Sequence, residues 1–173
     1  MPQPPSRWFD KSFPRTAEPE AVPHLIELLR AAPAALVDRL ACAARGSLTR
    51  RDGTAWSIQE HAGHLGDLEP LWLRRIDDFV ADAGSLTPAD LDNRITWSAG
   101  HNARELGGIL DDFRKRREAL VDRFASLAPA DWARTAVHPR LRTVFRLLDH
   151  LDFIVAHDAH HLALIDGLLA PQR

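Results

Sequence analysis

The chain has 173 residues, of which 45% are hydrophobic and 27% are charged, and its formal net charge is -2. These values fit one globular domain with a substantial core, give no basic surface for nucleic acid, and leave no apolar run long enough to span a membrane. The first residues lack the apolar core of a secretion signal and the single cysteine, Cys42, excludes an internal disulfide, so we expect a cytoplasmic protein with Cys42 in its core.

Residues 1–19 differ in composition from the rest of the chain. They hold 5 of the 12 prolines and show no helical period, which predicts an extended segment. Trp8, Phe9 and Phe13 lie within it, and aromatic side chains usually cover a surface. We expect this extension to form either a strap along the domain at 20–170 or a dimer contact.

The first predicted helix covers about residues 20–44, where leucines recur at helical spacing. Pro33 falls inside it and predicts a kink or a break, because proline lacks the N–H that a helix interior needs. A turn-rich connection follows at 45–55. The second helix then begins at Ser57, which is spaced from Glu60 as in a capping box that pairs otherwise unsatisfied backbone donors.

The second predicted helix continues to about residue 83 and has one apolar stripe, with His61 inside the stripe and His64 at its edge. Pro70 projects to the opposite side, where the carbonyl that it frees, that of Gly66, is expected to face water.

The rest of the chain holds two more amphipathic segments. A long loop at 84–100 precedes the third predicted helix, at about 102–127, and a connection at 128–142 precedes the fourth, at about 143–169. No segment alternates as a strand does. The pattern therefore predicts an all-α, antiparallel four-helix bundle.

Three histidines on two of these helices form the candidate metal site. His157 and His161 are four residues apart, so they lie on one helical face with Cβ atoms about 5–6 Å apart, whereas His160 is predicted to point to solvent. If the second and fourth helices pack together, His64 joins the pair. Three imidazoles suit Zn²⁺ and Ni²⁺ equally and leave open positions, which favours catalysis or substrate binding over bracing. The alternative is three unrelated, half-buried histidines.

Three charged side chains are predicted to project into apolar stripes: Glu69, Arg117 and Asp158. An unpaired buried charge costs several kcal/mol, so they are expected to find partners. Either a carboxylate orients an imidazole from behind, with Arg117 balancing the charge, or the three form a structural salt bridge.

The remaining histidines divide by helical phase. His61 is either a pocket residue or a satisfied core histidine, and His150, two turns before His157, either lines the pocket or belongs to the core. His24, His101 and His138 fit no cluster and are expected on the surface or in loops.

Two strings carry a family resemblance. WSIQEHAGHL at 56–65, followed by DLE at 67–69, resembles the first-ligand signature of the DinB superfamily, and HDAHHL at 157–162 resembles its last-helix motif. The likeness covers about residues 20–170. It implies a four-helix bundle, often a homodimer, that binds a divalent metal through three histidines, which match His64, His157 and His161 here.

The resemblance also implies an activity. Members are similar to transferases that use a low-molecular-weight thiol, such as bacillithiol, mycothiol or glutathione, to attack an electrophilic substrate. A thiol on a metal loses its proton readily, so such a site would present a thiolate near neutral pH. With water in that position the site would support hydrolysis. A further alternative is a non-catalytic, metal-binding stress-response dimer.

Overall fold

The computed structural model describes residues 8–13 and 15–170, without the side chain of Phe9. The part of the predicted N-terminal extension at 1–7 and position 14 lies outside the described residues. The described residues form six α-helices and two strands in this order: α1 (Val22–Leu40), α2 (Arg45–Leu48), α3 (Ile58–Val80), α4 (Arg94–Ser98), α5 (Leu106–Ala125), β1 (Thr135–His138), β2 (Thr143–Arg146) and α6 (Leu147–Leu169).

The four long helices form the bundle. Helix α3 packs against α5 and α6, and α1 packs against the same two helices, so α1 and α3 lie diagonally opposite each other. The four-helix bundle and the adjacency of the second and fourth predicted helices are thereby confirmed. None of the helices within the described ranges has the length and the apolar run that a bilayer crossing requires.

The main departure from the sequence prediction is a hairpin before α6. Strands β1 and β2 pair antiparallel, with Thr135 opposite Arg146 and His138 opposite Thr143. The prediction of no strand was therefore wrong, because β-branched and aromatic residues in what was taken as the first turn of the fourth helix favour a strand. One of these, Phe145, is buried in the core.

The first three long helices also end earlier than predicted, whereas the last ends at Leu169 as predicted, and the predicted loops contain helical turns. Helix α1 stops at Leu40, so Cys42 lies beyond it and is exposed instead of buried. Helix α3 begins as predicted, because the Ser57 hydroxyl accepts from the Glu60 N–H and the Glu60 carboxylate accepts from the Ser57 N–H. Within the predicted loops, α2 and α4 each form a short helix.

Both helix-internal prolines are accommodated by arginines of α5. Helix α1 runs through Pro33 without a break, and the Leu29 carbonyl four residues earlier accepts from Arg117 Nη1 at 3.1 Å. In α3, the Gly66 carbonyl freed by Pro70 accepts from Arg116 Nη1 at 2.9 Å. The expectation that water would satisfy the Gly66 carbonyl was wrong. At each proline, an arginine guanidinium donates the hydrogen bond that a backbone N–H would otherwise donate to the carbonyl four residues earlier.

Arg117 also joins α3 to α6. Its Nη2 lies 2.6 Å from Glu69 Oε1 on α3 and 3.1 Å from Asp158 Oδ1 on α6, and Nη1 donates to Asp158 as well. All three side chains are buried. Burial raises the pKa of Glu69 to about 7 even though Arg117 opposes the change. This polar layer lies between two apolar clusters of the bundle.

Replacing Arg117 with methionine should lower the free energy of unfolding by about 3–5 kcal/mol, because two buried carboxylates lose their cation. Urea denaturation at pH 7 measures the effect. Arg114→Met is the matched control on the same helix: Arg114 is about half exposed and pairs with exposed Glu118. The control should cost less than about 1 kcal/mol. Equal losses in the two variants would contradict a buried cross-link.

Candidate metal centre

Three imidazoles from two helices meet between α3 and α6. His64 lies on α3, and His157 and His161 lie one turn apart on α6. One ligand nitrogen of each lies within 4.8 Å of the other two, and all three rings are buried. The ring centroids are 4.5 Å apart for His157 and His161, and 4.8 Å apart for His64 and His161.

Two of these rings have a polar partner within hydrogen-bond distance of Nδ1. His64 Nδ1 lies 2.9 Å from the hydroxyl of Thr96, and His161 Nδ1 lies 3.0 Å from Nδ1 of His61. A neutral imidazole carries one proton. If Nδ1 carries it and donates to these partners, Nε2 of both rings keeps a lone pair for a cation. Among the described residues, Nδ1 of His157 is buried with no hydrogen-bond partner.

Burial keeps the three histidines neutral. It lowers the pKa of His64 to about 3, and it lowers the pKa values of His157 and His161 well below the ordinary value, with neighbouring histidines adding to the effect. Cations bind the neutral form of imidazole. Three neutral nitrogen donors, with no carboxylate or thiolate in the group, fit a divalent cation such as Zn²⁺ or Ni²⁺.

Asp67 forms hydrogen bonds with Thr96 and with His101, and so holds Thr96 in place. Burial would raise the pKa of Asp67, but hydrogen bonds from His101 and Thr96 lower it overall. His101 Nε2 lies 2.8 Å from Asp67 Oδ2, and a Cβ at Gly63 would fall 2.3 Å from the His101 ring. Glycine at 63 is thus needed for His101 to lie against α3. His101 was expected on the surface or in a loop and in no cluster. It lies in the connection between α4 and α5, but it is buried and pairs with Asp67, so the expectation that it belongs to no cluster was wrong.

A cavity of about 500 Å³ opens onto the three histidines. Its walls are largely aromatic: the Trp56 ring lies 4.6 Å from the His64 ring, and the Trp8 ring lies 4.9 Å from the His157 ring. Trp72 lines it between the histidines and Arg75. Such a cavity is of the size that holds a small organic ligand.

Of the five other predicted site residues, one lines the cavity and four do not. His61 lines the cavity beside His161. His150 does not line it, because its ring is fully buried against Trp72 and Phe79. Glu69, Arg117 and Asp158 also do not line it: they pair with one another, which corresponds to the salt-bridge alternative.

His160 was predicted to face solvent, but it is buried, and its ring lies 5.5 Å from that of Trp8. It is not one of the three residues whose ligand nitrogens converge. The N-terminal segment covers a face of α6 that a helical projection shows as outward.

Several residues of the site were missed by sequence reasoning. Thr96 lies on α4, in a segment predicted to be a loop, and no sequence signal indicates it. Asp67 and Trp56 fall inside the quoted family motif, three residues after His64 and eight before it, so the motif itself contained a signal for both. His138 was assigned to a loop but lines the cavity from the hairpin.

The chain is similar to a known family and to a solved structure. A sequence model of the DinB superfamily matches residues 28–165. Among solved structures, the chain is similar to YfiT from Bacillus subtilis, described as a probable metal-dependent hydrolase with an unusual four-helix bundle topology. The identity is 22%, the similarity covers 91% of each chain, and the TM-score is 0.78, which shows a shared fold. No curated protein matches significantly.

The buried histidines predict a pH dependence for the metal-free protein. Their folded-state pKa values lie below the unfolded value of 6.5, so between pH 6.5 and about 4 the unfolded chain binds protons that the folded protein does not. The free energy of unfolding should therefore decrease as the pH is lowered through this window, by about 1.4 kcal/mol per pH unit for each such histidine. Glu69 opposes this trend, because its pKa is raised in the folded protein, but it is one group against several histidines.

Urea denaturation at several pH values measures the slope. His150→Leu removes one buried histidine away from the metal site and should flatten the slope by about 1.4 kcal/mol per pH unit. The control His24→Ala, at an exposed position, should leave it unchanged. A wild-type stability that does not fall between pH 6.5 and 4 would contradict neutral burial.

Proposed function

The chain belongs to the DinB superfamily, and from this premise we propose that it is a metal-dependent transferase. In this proposal His64, His157 and His161 bind one divalent cation, zinc or nickel. A low-molecular-weight thiol of the bacillithiol, mycothiol or glutathione type attacks an electrophilic small molecule in the adjoining cavity. In this proposal the protein acts as a homodimer, as the family resemblance implies, and it does so in the cytoplasm.

The observation that carries the proposal is the convergence of three neutral imidazoles at the wall of a cavity. A structural zinc site usually fills all four positions with protein ligands, whereas three ligands leave one for a small molecule. The cavity gives that molecule room beside the histidines, so a catalytic role accounts for both features.

When bound, a divalent cation lowers the pKa of a thiol in contact with it, so that thiolate is present near neutral pH. The protein's own residues prepare the surroundings. Thr96 and His61 hold the rings of His64 and His161 by their Nδ1 atoms. Trp8 and Trp56 offer apolar surface beside the histidines, which the carbon chain of an organic thiol would contact.

Hydrolysis is the second candidate. The similar protein from Bacillus subtilis is described as a probable metal-dependent hydrolase. With water as the nucleophile, the same three histidines would serve, and the cavity would hold the substrate alone. The two candidates differ in whether a thiol is required for turnover.

Loss of any one of the three histidines should abolish stoichiometric metal binding. His64→Ala, His157→Ala and His161→Ala are each expected to weaken zinc binding by more than the roughly 10–100-fold that loss of an outer hydrogen-bond partner costs. Elemental analysis and competition with a chelator measure this.

The control for these variants is His160→Ala, a buried histidine adjacent to His161 that lies outside the converging group. It should retain the metal. Loss of metal from His160→Ala to the same degree as from His161→Ala would show that the assignment of ligands on α6 is wrong.

Turnover should need both a thiol and the metal. With glutathione and a chromogenic aryl halide, zinc-loaded protein is expected to form the thioether, and His157→Ala is expected to fall to the uncatalysed rate. Cleavage of a p-nitrophenyl ester at full rate without thiol would support the hydrolase instead. Zinc-dependent thermal stabilisation with neither activity would favour a non-catalytic metal-binding role.

A further inference from the structure

The wall of the cavity also contains a cluster of basic groups: Arg75 from α3, with His138 and Arg140 from the hairpin. The Arg75 side chain is only 1% exposed. Its Nε donates to the Thr87 carbonyl at 2.9 Å, and its guanidinium lies 5.5 Å from the centroid of the Trp72 ring. A buried cation is therefore held rigidly at the wall of the cavity.

Arg75 makes no ion pair with any carboxylate in the described ranges, 8–13 and 15–170. Asp78, one turn further along α3, acts on it only through space and instead binds the Thr87 N–H at 2.6 Å and Arg74 at 3.4 Å. The one carboxylate in the cavity lining, Asp90, accepts from the Arg94 N–H at 2.7 Å. A buried guanidinium in this state costs free energy that an anion would offset.

The hydrogen bonds of His138 show where such an anion would lie. Its Nδ1 lies 3.3 Å from the Leu141 N–H, which can only donate. A neutral ring can accept at only one of its two nitrogens. Nε2 lies 3.3 Å from Arg75 Nη1, another donor, so His138 can satisfy only one of the two N–H groups that contact it. An oxyanion beside Arg75 Nη1 and the His138 ring would supply the acceptor that is missing.

The charges of this cluster persist at neutral pH. Burial lowers the pKa of Arg75 to about 10, which leaves it protonated at pH 7. Burial, with Arg75 and Arg140 nearby, lowers the pKa of His138 to about 4, so its ring is neutral and keeps the single proton assumed above. Arg75 thus keeps its positive charge beside a neutral imidazole at the wall of the cavity.

We propose that Arg75, Arg140 and His138 form a subsite for an anionic group, a carboxylate or a similar oxyanion, on the molecule that reacts at the three histidines. The anion subsite does not depend on the proposed function, but the reaction of its ligand at the three histidines rests on that function. Arg75 follows His64 by eleven residues, about 16 Å of helix rise, so the molecule must be extended. Trp72 and Phe153 line the cavity as well and offer its middle part an apolar surface.

The first experiment tests the subsite without the metal. Full-length protein, zinc-loaded and zinc-stripped, is titrated with sulfate at constant ionic strength, and the ¹⁵N resonance of the Arg75 Nε–H is followed by NMR. A saturable shift is expected in both forms. Because sulfate binding does not require zinc, this result stands or fails independently of the proposed metal site.

Variants test the specificity of sulfate binding, and the backbone amide resonances of the hairpin at 135–146 are the readout for them, because Arg75→Met lacks the Arg75 Nε–H. Arg75→Met should weaken sulfate binding at least tenfold. If Arg75→Met does not fold, Arg140→Gln, at a less buried position, takes its place and should also weaken sulfate binding. Arg74→Met is the matched control, because Arg74 is the neighbour of Arg75 in sequence but its side chain is 67% exposed. The control should bind sulfate as the wild type does. No saturable shift in the wild type, or equal binding by all variants, would overturn the proposal.

A second arm identifies which reactant carries the anion. In the thiol-dependent assay, 11-mercaptoundecanoate, whose chain is long enough for this separation, is compared with 11-mercaptoundecanol on zinc-loaded protein. A KM at least tenfold lower for the carboxylate, lost in Arg140→Gln, places the anion on the thiol. Equal KM values alongside saturable sulfate binding place it on the electrophile, which is then tested by adding a carboxylate to the aryl halide.

Discussion

The position of α3 relative to α6 is the constraint on which the site depends, and Arg117 is the residue that fixes it. Its guanidinium binds Glu69 of α3 and Asp158 of α6, and it also fills the gap that Pro33 leaves in α1. Asp158 is adjacent in sequence to His157, so the buried ion network lies next to the metal site. Apolar packing tolerates small shifts between helices, whereas a hydrogen-bonded charge cluster does not, and we infer that this cluster sets the register.

That register produces a site of neutral nitrogen donors without a carboxylate among them. The partners behind the rings are a hydroxyl, that of Thr96, and a fourth imidazole, that of His61. Neither adds a negative charge in contact with the ligand rings, so the charge of a bound cation is less neutralised than in sites where carboxylates support the histidines. The arrangement also has a cost, because several buried imidazoles cannot gain protons in the folded state and stability is lost at acidic pH.

The sequence predicted those features that depend on local spacing. The capping box at Ser57 fixed the start of α3, and the four-residue interval of the last-helix pair placed both rings on one face. Features that depend on contacts between distant segments could not be predicted. Thr96 reaches His64 from a short helix with no strong pattern, and Trp8 covers His160 from a segment without helical phase. The hairpin was missed because its strands are only four residues long.

The bundle thus places a candidate cation site at one part of a largely apolar cavity and a basic cluster at another part of its wall. Anomalous scattering from crystals of zinc-loaded protein tests the central claim most directly. We expect one strong peak per chain, about 2.0–2.1 Å from one imidazole nitrogen of each of His64, His157 and His161. A peak bound to other residues, or one that contacts only α6 and leaves His64 beyond reach, would contradict the shared site between α3 and α6.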